Sequence, residues 1–158
     1  MKLTAKRRFN GFAAAICILL LFGILGSTAC PGILDDGGAD VPFENTVWIL
    51  ERYGQLGNMK SVLLGIRVTA VFVGSEKKVH GSSGCNNYGG DYRIIDPGTP
   101  FEGGLEMGRL LTTLITCGEA VDKQATAYFE ILASATSYKV EGRTLTITGS
   151  KGILVYKP

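Results

Sequence analysis

The chain has 158 residues, 46% of them apolar and 19% charged, with 16 basic against 14 acidic residues and one histidine. Four of the basic residues, Lys2, Lys6, Arg7 and Arg8, stand at the N-terminal end, so the remainder carries 12 basic against 14 acidic residues and is nearly neutral. Such a balance excludes the basic footprint of a nucleic-acid binder, and no like-charge run exceeds Asp35-Asp36 or Lys77-Lys78, which also excludes a polybasic membrane patch.

The first element is an export signal. The four cations form a positive n-region, residues 12–25 are apolar, and Ser27-Thr28-Ala29 supplies small residues before Cys30. An apolar run of about 14 residues is too short for a retained membrane-spanning helix, which needs about 20. Residues 1–29 therefore read as a segment removed on export. The small residues before Cys30 resemble the lipobox of bacterial lipoproteins, in which the cysteine sulfur receives a diacylglyceryl group, and two acyl chains suffice for stable anchoring. Ordinary signal-peptidase cleavage after Ala29 is the other fate open to the segment. Phe9 and Asn10 after Arg7-Arg8 fit the twin-arginine route poorly. The expected location is the cell envelope, anchored to a membrane through Cys30 and facing the periplasm or the exterior.

Residues 30–44 are rich in Gly, Asp and Pro, with Ile33, Leu34 and Val41 breaking the polarity, and read as a flexible tether. Residues 45–158 are enough for one domain with its own core. Twenty-two glycines, about twice ordinary usage, and apolar residues at period two predict short strands and tight turns. Alternation at residues 47–52 predicts a first strand with Trp48 and Leu50 inward. Residues 61–73 predict two strands or one bulged strand around Gly65, followed by a charged turn at Glu76-Lys77-Lys78. Between Glu119 and Ala133, Val121, Ala125, Tyr128, Phe129 and Leu132 recur at helical spacing, predicting one amphipathic helix entered at Gly118. Residues 138–141, 143–148 and 153–156 predict three antiparallel strands joined by glycine turns. The fold class is mainly β (α+β), an antiparallel curled sheet or barrel with one helix packed against it.

The stretch from Gly81, G-S-S-G-C-N-N-Y-G-G-D-Y, followed by Thr112-Thr113-Leu114-Ile115-Thr116-Cys117 and a helix leading to Tyr138, resembles the META domain family of HslJ-like proteins. Trp48-Ile49-Leu50, Phe72, Leu145-Thr146-Ile147 and Leu154-Val155-Tyr156 follow in the same order, so the resemblance spans residues 45–157. It implies a small β-rich domain of lipocalin-like topology, association with the bacterial envelope and with stress or antibiotic tolerance, and no shared catalytic mechanism.

Three groups of residues carry candidate chemistry. After export, Cys85 and Cys117 are the only thiols besides Cys30, and the reading preferred is a disulfide, with two free thiols or metal and redox chemistry as alternatives. His80 with Ser82, Ser83 and Asp91 invites a hydrolytic triad, but the segment lacks nucleophile-elbow spacing, and a zinc site of His80, Cys85 and Cys117 lacks closely spaced ligand pairs. Asn86, Asn87, Tyr88, Asp91 and Tyr92 read either as a self-satisfied turn or as a recognition rim with two amphipathic rings. No catalytic residue, metal or cofactor is assigned. The expected function is a non-enzymatic, membrane-tethered interaction or stress-tolerance module whose partner is an envelope protein. The alternative is a barrel enclosing a small hydrophobic ligand.

Overall fold

Period-two patterning makes strands, and the right-handed twist of those strands curls the sheet until its two ends meet. The computed structural model describes residues 39–158; the export signal, Cys30 and the tether up to residue 38 lie outside the described residues. The strands are β1 (Val47–Gln55), β2 (Asn58–Ser61), β3 (Thr69–Val73), β4 (Lys78–Ser82), β5 (Asn87–Thr99), β6 (Glu102–Met107) and β7 (Leu111–Thr112), then α1 (Glu119–Ala133), then β8 (Ala135–Glu141), β9 (Thr144–Gly149) and β10 (Gly152–Lys157). Eight of the strands, β1-β3-β4-β5-β6-β8-β9-β10, close into an antiparallel barrel. Closure is made by β1, which pairs Val47 to Ile49 with β3 and Ile49 to Gly54 with β10, with a register shift between Leu50 and Arg52. β2 pairs only β1, and β7 continues the edge of β5 beyond the end of β6.

The expected strand at residues 47–52 forms with Trp48 and Leu50 buried, and the helix spans the expected residues. Its buried face is shifted, however: Gln124 and Ile131 join Ala125, Tyr128 and Leu132, while Val121 and Phe129 are half-buried. Residues 61–73 do not make two strands. Ser61 is the last residue of β2, 69–73 pair in β3, and residues 62–68 between them form an irregular loop that lays Val68 into the core and leaves Leu64 in solvent. The domain also begins earlier than residue 45. Asp40 Oδ1 accepts from the Gly142 N–H (2.6 Å), Val41 N–H donates to Gly142 O (3.0 Å), and Phe43 is buried against Tyr138, Phe72 and Tyr92. One aromatic ring thus converts the end of the expected tether into core.

The barrel interior is filled. Trp48, Phe72, Tyr92, Leu105, Leu145, Ile147, Leu154 and Tyr156 are all essentially inaccessible, and each end is stoppered by aromatics. At the tether-side mouth, Phe43 stacks on Tyr138 at 4.0 Å between centroids, and its carbonyl accepts from Trp48 Nε1 (2.8 Å). At the helix-side mouth, Tyr128 drops from α1 between two strands. Its hydroxyl lies 2.5 Å from Tyr88 Oη and accepts from Tyr156 Oη (3.3 Å). Burial pushes all three phenols well above their ordinary pKa, reinforced at Tyr88 by Tyr128 and at Tyr128 by Tyr156.

Candidate functional site at the helix-side mouth

The β4–β5 turn is built by local hydrogen bonds that its residue types require. Ser83 N–H donates to Asn86 O (2.8 Å), and Asn86 N–H donates to Ser83 Oγ (3.2 Å). Gly84 adopts φ +91°, and any Cβ there would strike Ile66, so this position accepts only glycine. The turn then aims Cys85 and Asn86 at residues 111–117. Asn86 Oδ1 accepts from Ile115 N–H (2.7 Å) and Thr113 Oγ1 (2.8 Å), and its Nδ2 donates to Ile115 O (2.8 Å). Cys85 and Cys117 form a disulfide with Cα atoms 5.9 Å apart. Asp122, in the first turn of α1, accepts from Cys117 N–H (3.1 Å).

These bonds divide the residues that sequence reasoning grouped together. Asn86 has its amide fully engaged in clamping the neighbouring segment, and Asn87 is exposed on β5, its carbonyl taken by Thr113 N–H. Of the two readings of this stretch, a rim would need both rings at the surface, but Tyr88 and Tyr92 alternate inward along β5 and are buried, Tyr88 donating to Thr69 O (2.9 Å) and Tyr92 to Glu44 Oε1 (2.5 Å). Strand periodicity, which sends every second side chain into the barrel, decides this. Glu44 is half-buried; burial raises its pKa, but the Lys77 ammonium and the Tyr92 hydroxyl outweigh that and hold it below the ordinary value. Asp91, exposed, pairs with Lys78 (2.9 Å).

The triad residues are not assembled. Ser83 is buried and engaged with Asn86, Ser82 Oγ accepts from Gly84 N–H (3.1 Å), Asp91 is held by Lys78, and His80 points outward from β4. With both thiols in the disulfide, His80 has no zinc partners there, and among the described residues no three His, Cys, Asp or Glu side chains converge to hold a metal.

Residues that sequence reasoning passed over emerge instead. Segment 111–117 is fixed by β7 pairing, by Asn86, by the disulfide and by Asp122, yet it buries little: Leu111, Leu114 and Ile115 are 64%, 93% and 59% exposed. The loop at 62–68 approaches the same place, since Ile66 lies against Gly84 and Leu63 N–H donates to the buried Gln124 Oε1 (2.8 Å), and it leaves Leu64 fully exposed. Gln124 Nε2 has no partner among the described residues. Two pinned loops flanking the β4–β5 turn therefore carry an apolar ridge. Its only trace in the sequence is Leu114-Ile115 set between threonines, off any strand or helix period.

The comparisons agree with this architecture. No curated protein matches the chain. An NMR structure of a protein from Burkholderia xenovorans shares the fold, with a TM-score of 0.59 and 23% identity over 72% of this chain and 81% of that one. A second NMR structure matches with a TM-score of 0.52 and 23% identity, over 70% of this chain and 86% of that one. The META domain family matches residues 41–157, beginning where the structure, too, shows the packed domain to begin. The chain belongs to the META domain family.

Proposed function

We propose that the protein is a non-enzymatic lipoprotein of the cell envelope, tethered through Cys30, whose META domain docks an envelope protein through the apolar ridge at its helix-side mouth. The observation that carries this reading is the ridge itself: Leu64, Leu114 and Ile115 are exposed on segments that are nonetheless pinned. Ordering a segment without burying it opposes folding, and a pre-ordered apolar surface lowers the entropy lost when a partner is bound. Chain geometry points the same way. Asp40 pairs beside the β8–β9 turn, at the mouth opposite the ridge, so the segment leading into the domain leaves the ridge uncovered. The stress-tolerance role implied by the resemblance would then be exerted through that partner. An interior hydrophobic ligand is the weaker reading, because the volume it would need is taken by Trp48, Tyr92, Tyr128 and Tyr156.

The test is site-specific photocrosslinking in cells with a photoreactive residue at position 114 and a control at exposed Lys139 on the opposite mouth. One discrete adduct is expected from position 114 and none from 139, and Leu64→Ser with Ile115→Ser should abolish it. Equal adducts from both positions, or an adduct indifferent to those substitutions, would refute the docking site. The anchor is read separately: Cys30→Ser should release the exported protein from membranes.

A further inference from the structure

Segment 111–117 has an open main-chain edge. β7 pairs Leu111 with Gly89 and Thr112 with Tyr88, and the chain beyond it keeps the same alternation: Thr113 N–H donates to Asn87 O (3.0 Å), Ile115 N–H to Asn86 Oδ1 (2.7 Å) and Cys117 N–H to Asp122 Oδ1 (3.1 Å). Asn86 Nδ2 returns a bond to Ile115 O (2.8 Å), so its side-chain amide pairs Ile115 as a neighbouring strand would. In an extended chain the main-chain groups of successive residues point to opposite sides. Those of Thr112, Leu114 and Thr116 therefore face away from β5, and neither Leu114 nor Thr116 has a main-chain hydrogen-bond partner among the described residues.

That edge is one wall of a groove of about 370 Å³ whose other wall is α1, at Asp122, Ala125, Thr126 and Phe129. All five consecutive residues 112–116 line it, and because the side chains of a strand alternate between faces, the surface these residues share is the main chain. Edges are ordinarily protected from further pairing by a lysine, another charge or a proline. Leu111-Thr112-Thr113-Leu114-Ile115-Thr116-Cys117 contains none of these, and Thr112, Thr113, Ile115 and Thr116 are β-branched. The one charged residue lining the groove is Asp122, which is half-buried, accepts from Cys117 N–H through Oδ1 and joins no salt bridge among the described residues. Lys123 beside it is bound to Glu119.

Building on the docking reading above, we propose that the docked protein contributes an extended segment that adds as a strand to the edge at Leu114 and Thr116, rests an apolar side chain against Ala125 and Phe129, and sets a lysine or arginine beside Asp122. Unpaired donors and acceptors alternating along an extended edge are matched by another extended main chain, whose hydrogen bonds give affinity while its side chains give specificity. The ridge is continuous with this edge, since Leu114 and Ile115 belong to both. The carboxylate of Asp122 selects the charge of the residue beside it.

The experiment repeats the photocrosslinking from position 114, in cells and in the full chain, with the edge altered. Thr116→Pro deletes an outward N–H and leaves Leu64 and Ile115 in place, and proline is accepted at an edge position whose N–H faces solvent, so the melting temperature and the disulfide should be retained. The adduct should fall about ten-fold, while Thr116→Ala, which keeps the N–H, should leave it unchanged. Thr112→Pro, at the other end of the same edge, takes its place if Thr116→Pro unfolds, with the same loss expected. Asp122→Asn, whose amide oxygen still accepts from Cys117 N–H, should reduce the adduct about two- to five-fold. An adduct indifferent to the proline would overturn strand addition and leave docking by side chains standing. No adduct from the unaltered edge would overturn the docking reading and the added strand with it, and an adduct of two copies of this chain would assign the edge to self-pairing and overturn the proposal.

Discussion

Raising the pH should unfold this domain steeply, and the slope follows from the helix-side tyrosines. Tyr88, Tyr128 and Tyr156 are buried, and their hydroxyls meet one another, so each stays protonated in the folded state well above its ordinary pKa of 10.0. Unfolding exposes them to water, where they ionise near that ordinary value. Below pH 10 both states hold the three protons and the stability is fully present. As pH rises from there toward the folded-state values, these three phenols lose their protons first in the unfolded chain and take away about 4 kcal/mol of stability per pH unit, to which Tyr92 and Tyr138, also raised in the folded state, add. A domain with a typical stability of about 5–15 kcal/mol then loses its fold within a few pH units above 10. The assay follows tyrosinate absorbance and far-UV circular dichroism through an alkaline titration with denaturant midpoints at each pH. The absorbance of these phenols should rise together with loss of ellipticity, and Tyr128→Phe should remove about a third of the cluster's share, or about 1.4 kcal/mol per pH unit. Three phenols titrating gradually near pH 10 with ellipticity intact would refute the buried cluster.

Two further outcomes test the frame around the ridge and the barrel wall. Replacing both Cys85 and Cys117 with serine releases a cross-link spanning 32 positions in the chain and should cost about 3–4 kcal/mol by chain entropy, lowering the melting temperature by roughly 10 °C or more. Because Asn86 still clamps Ile115, the amide spectrum outside residues 83–87 and 111–118 should stay native; a melting temperature unchanged by both substitutions would sink the account. Gly81→Ala places a methyl inside the van der Waals radius of Thr69 O and 3.0 Å from Tyr88 Oη, so β3 and β4 must separate. A loss of about 2–4 kcal/mol in chemical denaturation is expected, and a loss within the ordinary surface range of about 0.5 kcal/mol would show that the pair can shift freely.

Much of the fold was legible because it follows from short-range rules. Period two at 47–52 and through 138–156, and helical spacing at 119–133, are set by how side chains alternate on one element, and those elements formed where the pattern placed them. The glycine-rich β5 and β6 gave no such pattern, since Gly89, Gly90, Gly103 and Gly104 have no side chain to alternate. The shift of the helix face to Gln124 and Ile131 was illegible for another reason: which arc of a helix is buried depends on what it lands on, here the loop at 62–68 and strands β1, β9 and β10.

By itself the sequence determined composition, the strand-rich class and the two cysteines available to pair, all of which are local or countable properties. Only the tertiary structure decided that β1 meets β10 to close the sheet, that Phe43 belongs to the core, and that Tyr88 and Tyr92 face inward while Leu64, Leu114 and Ile115 face out. Closure and facing depend on register between strands far apart in the chain, and a shift of one residue would send every side chain to the opposite face. The physical content of the site therefore lies in long-range pairing, which no window of neighbouring residues contains.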